Sequence, residues 1–249
     1  MLHLAVVTLM PEMFEALKYG VVGRAIEHGL AKLDYWNPRD WATGPYRQVD
    51  DKPYGGGPGM VMMYEPLAGA INHAKAQMTA ACRTIYLSPQ GKTIRQHDLN
   101  KLAEAQQSLV FVAGRYEGID ERIITQHVDE EWSLGDFVLS GGELAAMVFI
   151  DAIIRLLPGS LGHLCSAEQD SFMNGLLDCP HYTRPAMING LEVPSVLLSG
   201  HHRDIERWRR KQSLGKTWLK RPDLLDKIQL SELDKQLLAE FKSEQGTSF

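Results

Sequence analysis

Leu109-Val110-Phe111-Val112 runs into Ala113-Gly114-Arg115, and two other stretches repeat the pattern: Thr84-Ile85-Tyr86-Leu87 runs into Ser88-Pro89-Gln90-Gly91, and Phe137-Val138-Leu139 into Ser140-Gly141-Gly142-Glu143. Short apolar runs bounded by glycine and proline predict buried strands. Between and around them the period changes. Residues 64–77, 95–107 and 143–157 alternate in helical fashion, the last ended by Pro158-Gly159, and residues 121–125 open another helix. Strand alternating with helix predicts an α/β fold with a parallel sheet. Ligands of such sheets bind beyond the carboxyl ends of the strands, where glycine lets backbone come close, so a cofactor is expected in the middle third of the chain.

The common nucleotide fingerprints do not fit that region. Tyr86-Leu87-Ser88-Pro89-Gln90-Gly91-Lys92-Thr93 ends like a phosphate loop, but Tyr86 stands where the motif needs glycine and Pro89 removes an N–H donor. Gly55-Gly56-Gly57-Pro58-Gly59 has no strand feeding into it and is interrupted by Pro58, so it predicts an irregular loop able to approach something flat or bulky.

Working outward, residues 2–9 predict a buried first strand and not a signal peptide, because no basic segment precedes the apolar core and Pro11 follows it; residues 11–19 open a helix. Residues 37–58 form a long aperiodic stretch with Trp41, Tyr46 and Tyr54, and loops of that length are commonly functional. Residues 159–175 are rich in Ser, Gly and acids and read as a linker. Beyond it only residues 193–198 suggest a strand, and residues 231–242 form an amphipathic helix with Leu233, Leu237 and Leu238 in register.

With 249 residues, 44% apolar and 23% charged, the chain is ordinary for a globular protein large enough to bury a core. A net charge of −5 announces no nucleic-acid partner, yet residues 200–221 carry eight Lys or Arg against Asp204 and Glu206, interleaved with Trp208 and Trp218. That local +6 suits a nucleic-acid backbone, though a solvated helix face with two core tryptophans gives the same pattern. Cys82, Cys165 and Cys179 are scattered without a C-x-x-C pair, which argues against disulfides or a zinc ribbon and fits a reducing cytoplasm. No metal site is expected from His and Cys spacing, His201 and His202 being adjacent, and no run is long enough to span a membrane.

Arg115-Tyr116-Glu117-Gly118-Ile119-Asp120-Glu121-Arg122 packs five charges beside a strand end, where substrate contact competes with simple capping of the next helix. Arg155 is the sole cation on residues 143–158 and either pairs with Asp151 or faces a cleft. Glu168, Asp170 and Asp178 fall in or beside the linker. The apolar insert after Asp170 suggests docking, which would make that carboxylate available as a general base.

Five blocks carry a resemblance: Pro53-Tyr54-Gly55-Gly56-Gly57-Pro58-Gly59-Met60, Tyr86 to Gly91, Gly114 to Arg122, Leu134-Gly135-Asp136-Phe137-Val138-Leu139-Ser140-Gly141-Gly142-Glu143-Leu144 and Leu177-Asp178-Cys179-Pro180-His181-Tyr182-Thr183-Arg184-Pro185. They resemble the TrmD family, bacterial tRNA (guanine-N1)-methyltransferases of the SPOUT class that act at position 37, and the likeness covers nearly the whole chain. It implies an α/β domain over residues 1–160 with a SPOUT-type sheet and a deep trefoil knot, a linker over 161–175, and a smaller, mainly helical tRNA-binding domain over 176–249. It also implies a cytoplasmic homodimer and a bent S-adenosylmethionine held by Tyr86, Leu87, Ser88, Pro89, Gly114, Tyr116, Gly118, Leu134, Gly135, Asp136, Phe137, Val138, Leu139, Gly141 and Gly142.

Asp170 takes the place of the general base and Arg155 that of its partner. Guanine N1 carries a proton and is a poor nucleophile, so a carboxylate must remove the proton while a cation stabilises charge on O6. N1 lies on the Watson-Crick edge, so the base must be unpaired, as in an anticodon loop with guanines at 36 and 37. Pro58, Gly59, Arg115 and Glu117 are the implied guanine contacts, while Asp50 and Asp178 would touch substrate or hold Mg²⁺. The family often has proline after its Gly-Gly-Glu-Leu block, whereas this chain has Ala145. Two alternatives stay open: a related SPOUT enzyme with another RNA site, and a non-catalytic RNA-binding protein on the same fold. The second is disfavoured by the presence of Asp170 and Arg155.

Overall fold

The computed structural model describes residues 1–78, 80–162 and 169–246. The chain divides into two compact units, Met1–Leu164 and Cys165–Phe249.

The first unit is built on one parallel sheet, in the order β2-β1-β6-β5-β7. Its strands are β1 (Leu2–Val7), β2 (Ala31–Trp36), β5 (Cys82–Thr93), β6 (Ser108–Val112) and β7 (Glu130–Ser133); the two-residue strands β3 (Asp50–Asp51) and β4 (Val61–Met62) pair antiparallel outside it. Side chains alternate between the two faces of a strand. Leu2, Leu4, Val6, Leu109, Phe111, Ile85 and Leu87 therefore pack on one side with α1 (Gly20–Glu27), α3 (Gln96–Glu104) and α5 (Glu143–Ile154). Ala5, Val7, Val110, Val112 and Tyr86 pack on the other with α2 (Tyr64–Gln77) and α4 (Glu121–His127). Both layers are needed because a parallel sheet exposes neither face. Trp41, from the long aperiodic stretch, packs against the core beside His73 on α2, with ring centroids 5.2 Å apart.

Several expectations need correction. Residues 11–19 form a 3-10 helix, Pro11–Lys18, and α1 with the edge strand β2 follows where no element was expected. Residues 137–139 are not a strand: Phe137 and Val138 are exposed in a loop, and the strand is β7, just before it. β7 is hidden in the sequence because its Glu130 is engaged with Arg83 and with the indole N–H of the buried Trp132 at the sheet edge. Residues 88–91 do not end β5. They arch out within it, so that Leu87 and Lys92 both face Trp132 in register. Gly91 permits this, since a Cβ there would run into the backbone of Glu131 and Trp132.

The second unit is mainly helical. A small hairpin of β8 (Met187–Ile188) and β9 (Leu191–Glu192) precedes α6 (Ser195–Leu198), α7 (His202–Lys220), α8 (Pro222–Leu225) and α9 (Glu232–Gly246). The strand expected over residues 193–198 is instead α6; Pro194, with its φ held at −50°, stands at its N-cap, and no neighbouring strand pairs with it. Leu176, Leu214, Leu237 and Leu238 form the core of this unit. The described part of the expected linker, residues 169–175, folds onto it: Asp178 N–H donates to Ser171 Oγ at 2.9 Å, and Gly175 lies against Ile228.

Candidate active site

The ends of β5, β6 and β7 converge on a cavity of ≈ 300 Å³. β5 and its arch contribute Tyr86, Leu87, Ser88, Pro89 and Gln90; the loop after β6 contributes Gly114, Arg115, Tyr116, Glu117 and Gly118. β7 and the loop after it contribute Trp132, Ser133, Leu134, Gly135, Phe137, Val138, Leu139, Ser140, Gly141 and Gly142, and α5 adds Ala145. Asp136, expected beside the cofactor, does not line the cavity. Gln90, Trp132, Ser133 and Ala145 line it without having been expected beside the cofactor. Recognising β7 from Trp132 would have found two of them.

Two backbones touch at the cavity floor. Gly142 N–H donates to Gly114 O at 2.9 Å, and a Cβ on Gly142 would stand 2.7 Å from Ala113 Cα, so only glycine allows the crossing. Gly114 in turn lies against the Tyr86 ring, at 2.9 Å from where its Cβ would be. Burial, helped by Glu131 and Glu121, pushes the Tyr86 hydroxyl up to about 12, so at neutral pH it remains a neutral O–H.

The loop after β6 is zipped to the segment around β4. Glu117 N–H donates to Met60 O at 2.9 Å, Met62 N–H to Gly118 O at 2.9 Å and Asp120 N–H to Met62 O at 3.1 Å. This carries Gly59 against the loop, with a Cβ there only 2.5 Å from Glu117 Cγ. Burial raises the Tyr116 hydroxyl pKa, and Asp50 raises it further, which puts Asp50 beside the same loop. Two of the expected substrate residues, Arg115 and Glu117, line the cavity, and Asp50 and Gly59 adjoin the same loop. Arg115 turns its guanidinium inward: Nε lies 2.9 Å from Glu143 Oε2, at an angle short of a hydrogen bond, and Nη1 donates to Ser140 O at 3.3 Å.

Arg155 is the C-cap of α5 in the first unit, its N–H donating to Asp151 O at 3.0 Å. Asp170 lies in the second unit, where it lines a separate cleft of ≈ 230 Å³ together with Asn174, Asp178, Glu206, Arg209 and Arg210. Burial pushes the Asp178 carboxyl up, but hydrogen bonds from His181 and the Cys179 N–H outweigh it and hold the carboxyl below the usual carboxylate range. Glu168 and Cys165 lie outside the described residues.

The basic helix α7 is divided in its loyalties. Arg207, Arg210 and Lys211 are paired with Glu240, Asp234 and Glu244 of α9, and Arg221 with Asp223. Arg203, Arg209, Lys216 and Lys220 make no ion pair among the described residues. Trp218 packs on the unit's core beneath Lys242, and Trp208 sits beside Tyr182 with ring centroids 6.3 Å apart.

A parallel sheet with a glycine-floored cavity at its carboxyl edge defines a ligand-binding protein of the α/β class, carried on one chain with a helical unit that bears cations outside any ion pair among the described residues. The profile of the family described as tRNA (Guanine-1)-methyltransferase TrmD matches residues 2–227. A protein of Legionella pneumophila strain Philadelphia 1, "tRNA (guanine-N(1)-)-methyltransferase", is 78% identical over 99% of both chains. Proteins of that name from Pectobacterium carotovorum and Salmonella newport are each 57% identical, over 97% and 98% of this chain and 96% and 95% of their own. The chain belongs to the TrmD family of tRNA (guanine-1)-methyltransferases and is by that membership a methyltransferase that depends on S-adenosylmethionine.

Proposed function

We propose that the chain methylates N1 of guanine 37 in the anticodon loop of tRNAs carrying guanine at 36 and 37, with S-adenosylmethionine seated in the cavity at the ends of β5, β6 and β7. The carrying observation is that cavity: its floor is two glycine loops in backbone contact, an arrangement suited to a folded ligand and not to a phosphate chain. Lys92, the lysine of the apparent phosphate loop, is engaged with Asp98 at 2.8 Å.

Bound there, S-adenosylmethionine supplies an electrophilic methyl carbon. The protein's own groups do the rest. Asp50, Pro58, Gly59, Arg115 and Glu117 form the rim that receives the unpaired guanine, Asp170 accepts the N1 proton as the new N–C bond forms, and Arg155 stabilises charge on O6. Arg203, Arg209, Lys216 and Lys220 are available to the RNA backbone, which gives the helical unit its role in holding tRNA.

A deep trefoil knot is supported by the chain path: the loop after edge strand β7 returns across the end of β5 to bond the loop after β6. A homodimer is supported by exposed Leu144 and Val148, one turn apart on α5, and by exposed Phe137 and Val138 in the loop before that helix. A cytoplasmic setting fits the substrate, and no helix among the described residues is long and apolar enough to cross a membrane. Mg²⁺ does not fit the residues present. Among the described residues the one cluster of potential ligands is Asp178, Cys179 and His181, a sulfur and nitrogen set with the carboxylate already hydrogen-bonded, whereas Mg²⁺ takes oxygens.

The test is methyl transfer from labelled S-adenosylmethionine to an unmodified tRNA with guanines at 36 and 37, beside the same transcript with adenine at 37. Label on the first alone is expected. Label on both would move the site elsewhere, and label on neither would leave an RNA-binding protein.

A further inference from the structure

Beneath the cavity Glu143 is wholly withdrawn from solvent at the first position of α5. One carboxylate oxygen accepts the Thr8 hydroxyl at 3.0 Å; the other lies 2.9 Å from Arg115 Nε. Thr8, equally buried, stands just beyond β1 and also accepts the Met10 N–H at 3.0 Å. A buried carboxylate is retained only where opposite charge and hydrogen bonds compensate its lost hydration. Here the compensation comes from three separate places: the end of β1, the loop after β6, and the positive end of helix α5.

What rests on this pair is the backbone of the cofactor loop. A Cβ on Gly141 would lie 2.6 Å from Glu143 Oε2 and would run into Arg115 Nε, and the same guanidinium holds Ser140 O. Glu143 and Thr8 do not line the cavity; Arg115, Ser140 and Gly141 do. The carboxylate therefore acts on the loop and not on the ligand.

We infer that Glu143, oriented by Thr8, is a positioning residue: it fixes Arg115 beneath Gly141 and so holds the loop after β7 in the shape that receives the cofactor before the cofactor arrives. The inference rests on the reading that S-adenosylmethionine occupies this cavity. If the loop is set in advance, little of the binding energy goes into ordering it. If the charge is removed, that ordering is drawn from affinity. Cofactor affinity and its KM then suffer more than turnover at saturating cofactor and tRNA.

Glu143→Gln keeps the volume and the bond from Thr8 but removes the charge that holds Arg115. Calorimetric titration of the full chain with S-adenosylmethionine should show Kd raised by at least about tenfold and KM for the cofactor raised in parallel, with kcat at saturating cofactor and tRNA falling by a smaller factor, since Arg115 also belongs to the guanine rim. Thr8→Val should weaken binding by a smaller factor and Thr8→Ser, which keeps the hydroxyl, should restore it. A folded Glu143→Gln variant with Kd within about twofold of the parent would leave only a structural ion pair and overturn the inference. Should that variant not fold, equal affinities for Thr8→Val and Thr8→Ser would overturn it. Leu139→Trp, which fills the cavity, separates the two levels: unchanged affinity in that variant would refute the cofactor site itself, whatever Glu143 does.

Discussion

Replacing Asp234 by asparagine should remove a charge-dependent part of the stability of the helical unit. Asp234 is the third residue of α9's opening turn and exchanges hydrogen bonds with Ser231, its Oδ2 accepting Ser231 N–H at 3.2 Å while its own N–H donates to Ser231 Oγ at 3.1 Å. The same carboxylate takes a forked pair of bonds from Arg210 of α7, at 2.7 and 3.0 Å. Those bonds from Arg210, which outweigh burial, with Ser231 adding to them, lower its pKa from 3.8 to about 2. A depression of that size corresponds to about 2.4 kcal/mol at 1.36 kcal/mol per unit. Arg210's side chain is 39% exposed and the carboxylate's 10%, so solvent screening reduces the expected contribution to roughly 1–2 kcal/mol.

The folded pKa lies below the unfolded one, so this stability is fully present above about pH 4–5 and disappears as pH falls through about 2. Urea unfolding of parent and Asp234→Asn, read by pulsed hydrogen exchange of α7 and α9 peptides at one labelling pH, should therefore give a gap of roughly 1–2 kcal/mol at pH 7 that narrows steadily below pH 4. A gap of the same size at pH 7 and pH 3 would refute the reasoning and assign the effect to the cap alone.

Gly215→Ala on α7 sets two effects against each other. Helix propensity gains about 1 kcal/mol. The new Cβ would overlap the ring of the buried Phe241, an overpacking loss of about 1–3 kcal/mol, so a net fall in urea midpoint is expected; a rise would show that α7 and α9 can part freely. Asp170→Asn should abolish methyl transfer while the calorimetric affinity for S-adenosylmethionine stays unchanged, and surviving turnover would exclude Asp170 as the base. Gly141→Val, whose side chain would displace the Arg115–Glu143 pair, should weaken S-adenosylmethionine binding by more than about tenfold, and an unaltered Kd would remove the loop after β7 from the cofactor site.

The interior of the sheet could be read from the residues because β5 and β6 are covered on both faces, which demands unbroken apolar runs such as Leu109 to Val112. The edges could not. In β2, Lys32 and Asp34 break the run, and Asp34 is there as partner to the buried His3, at 2.7 Å. In β7 two glutamates precede Trp132 and mask the strand, while Phe137-Val138-Leu139 imitates one although its first two side chains face solvent. The glycines of the cavity were legible as strand-end turns because close backbone approach restricts residue type, whereas its tyrosines were indicated only by the family resemblance. The roles of the cations on α7 were not, since their partners Asp234, Glu240 and Glu244 follow 24 to 33 residues later and nothing local to α7 reveals them.

The interior place of β1, between β2 and β6, carries a consequence for biosynthesis. Its outer neighbour β2 follows within a few dozen residues, but on the inner side Leu4 pairs with Leu109 and Val6 with Phe111. At roughly 5–20 residues per second a ribosome takes about 5–20 s to deliver those partners, and Thr8 waits longer still for Glu143. Throughout that interval the nascent β1–β2 pair presents one unpaired apolar edge, the kind of surface that recruits chaperones or neighbouring chains. That edge closes only once the sixth strand has been made and Leu4 and Val6 can pair with Leu109 and Phe111.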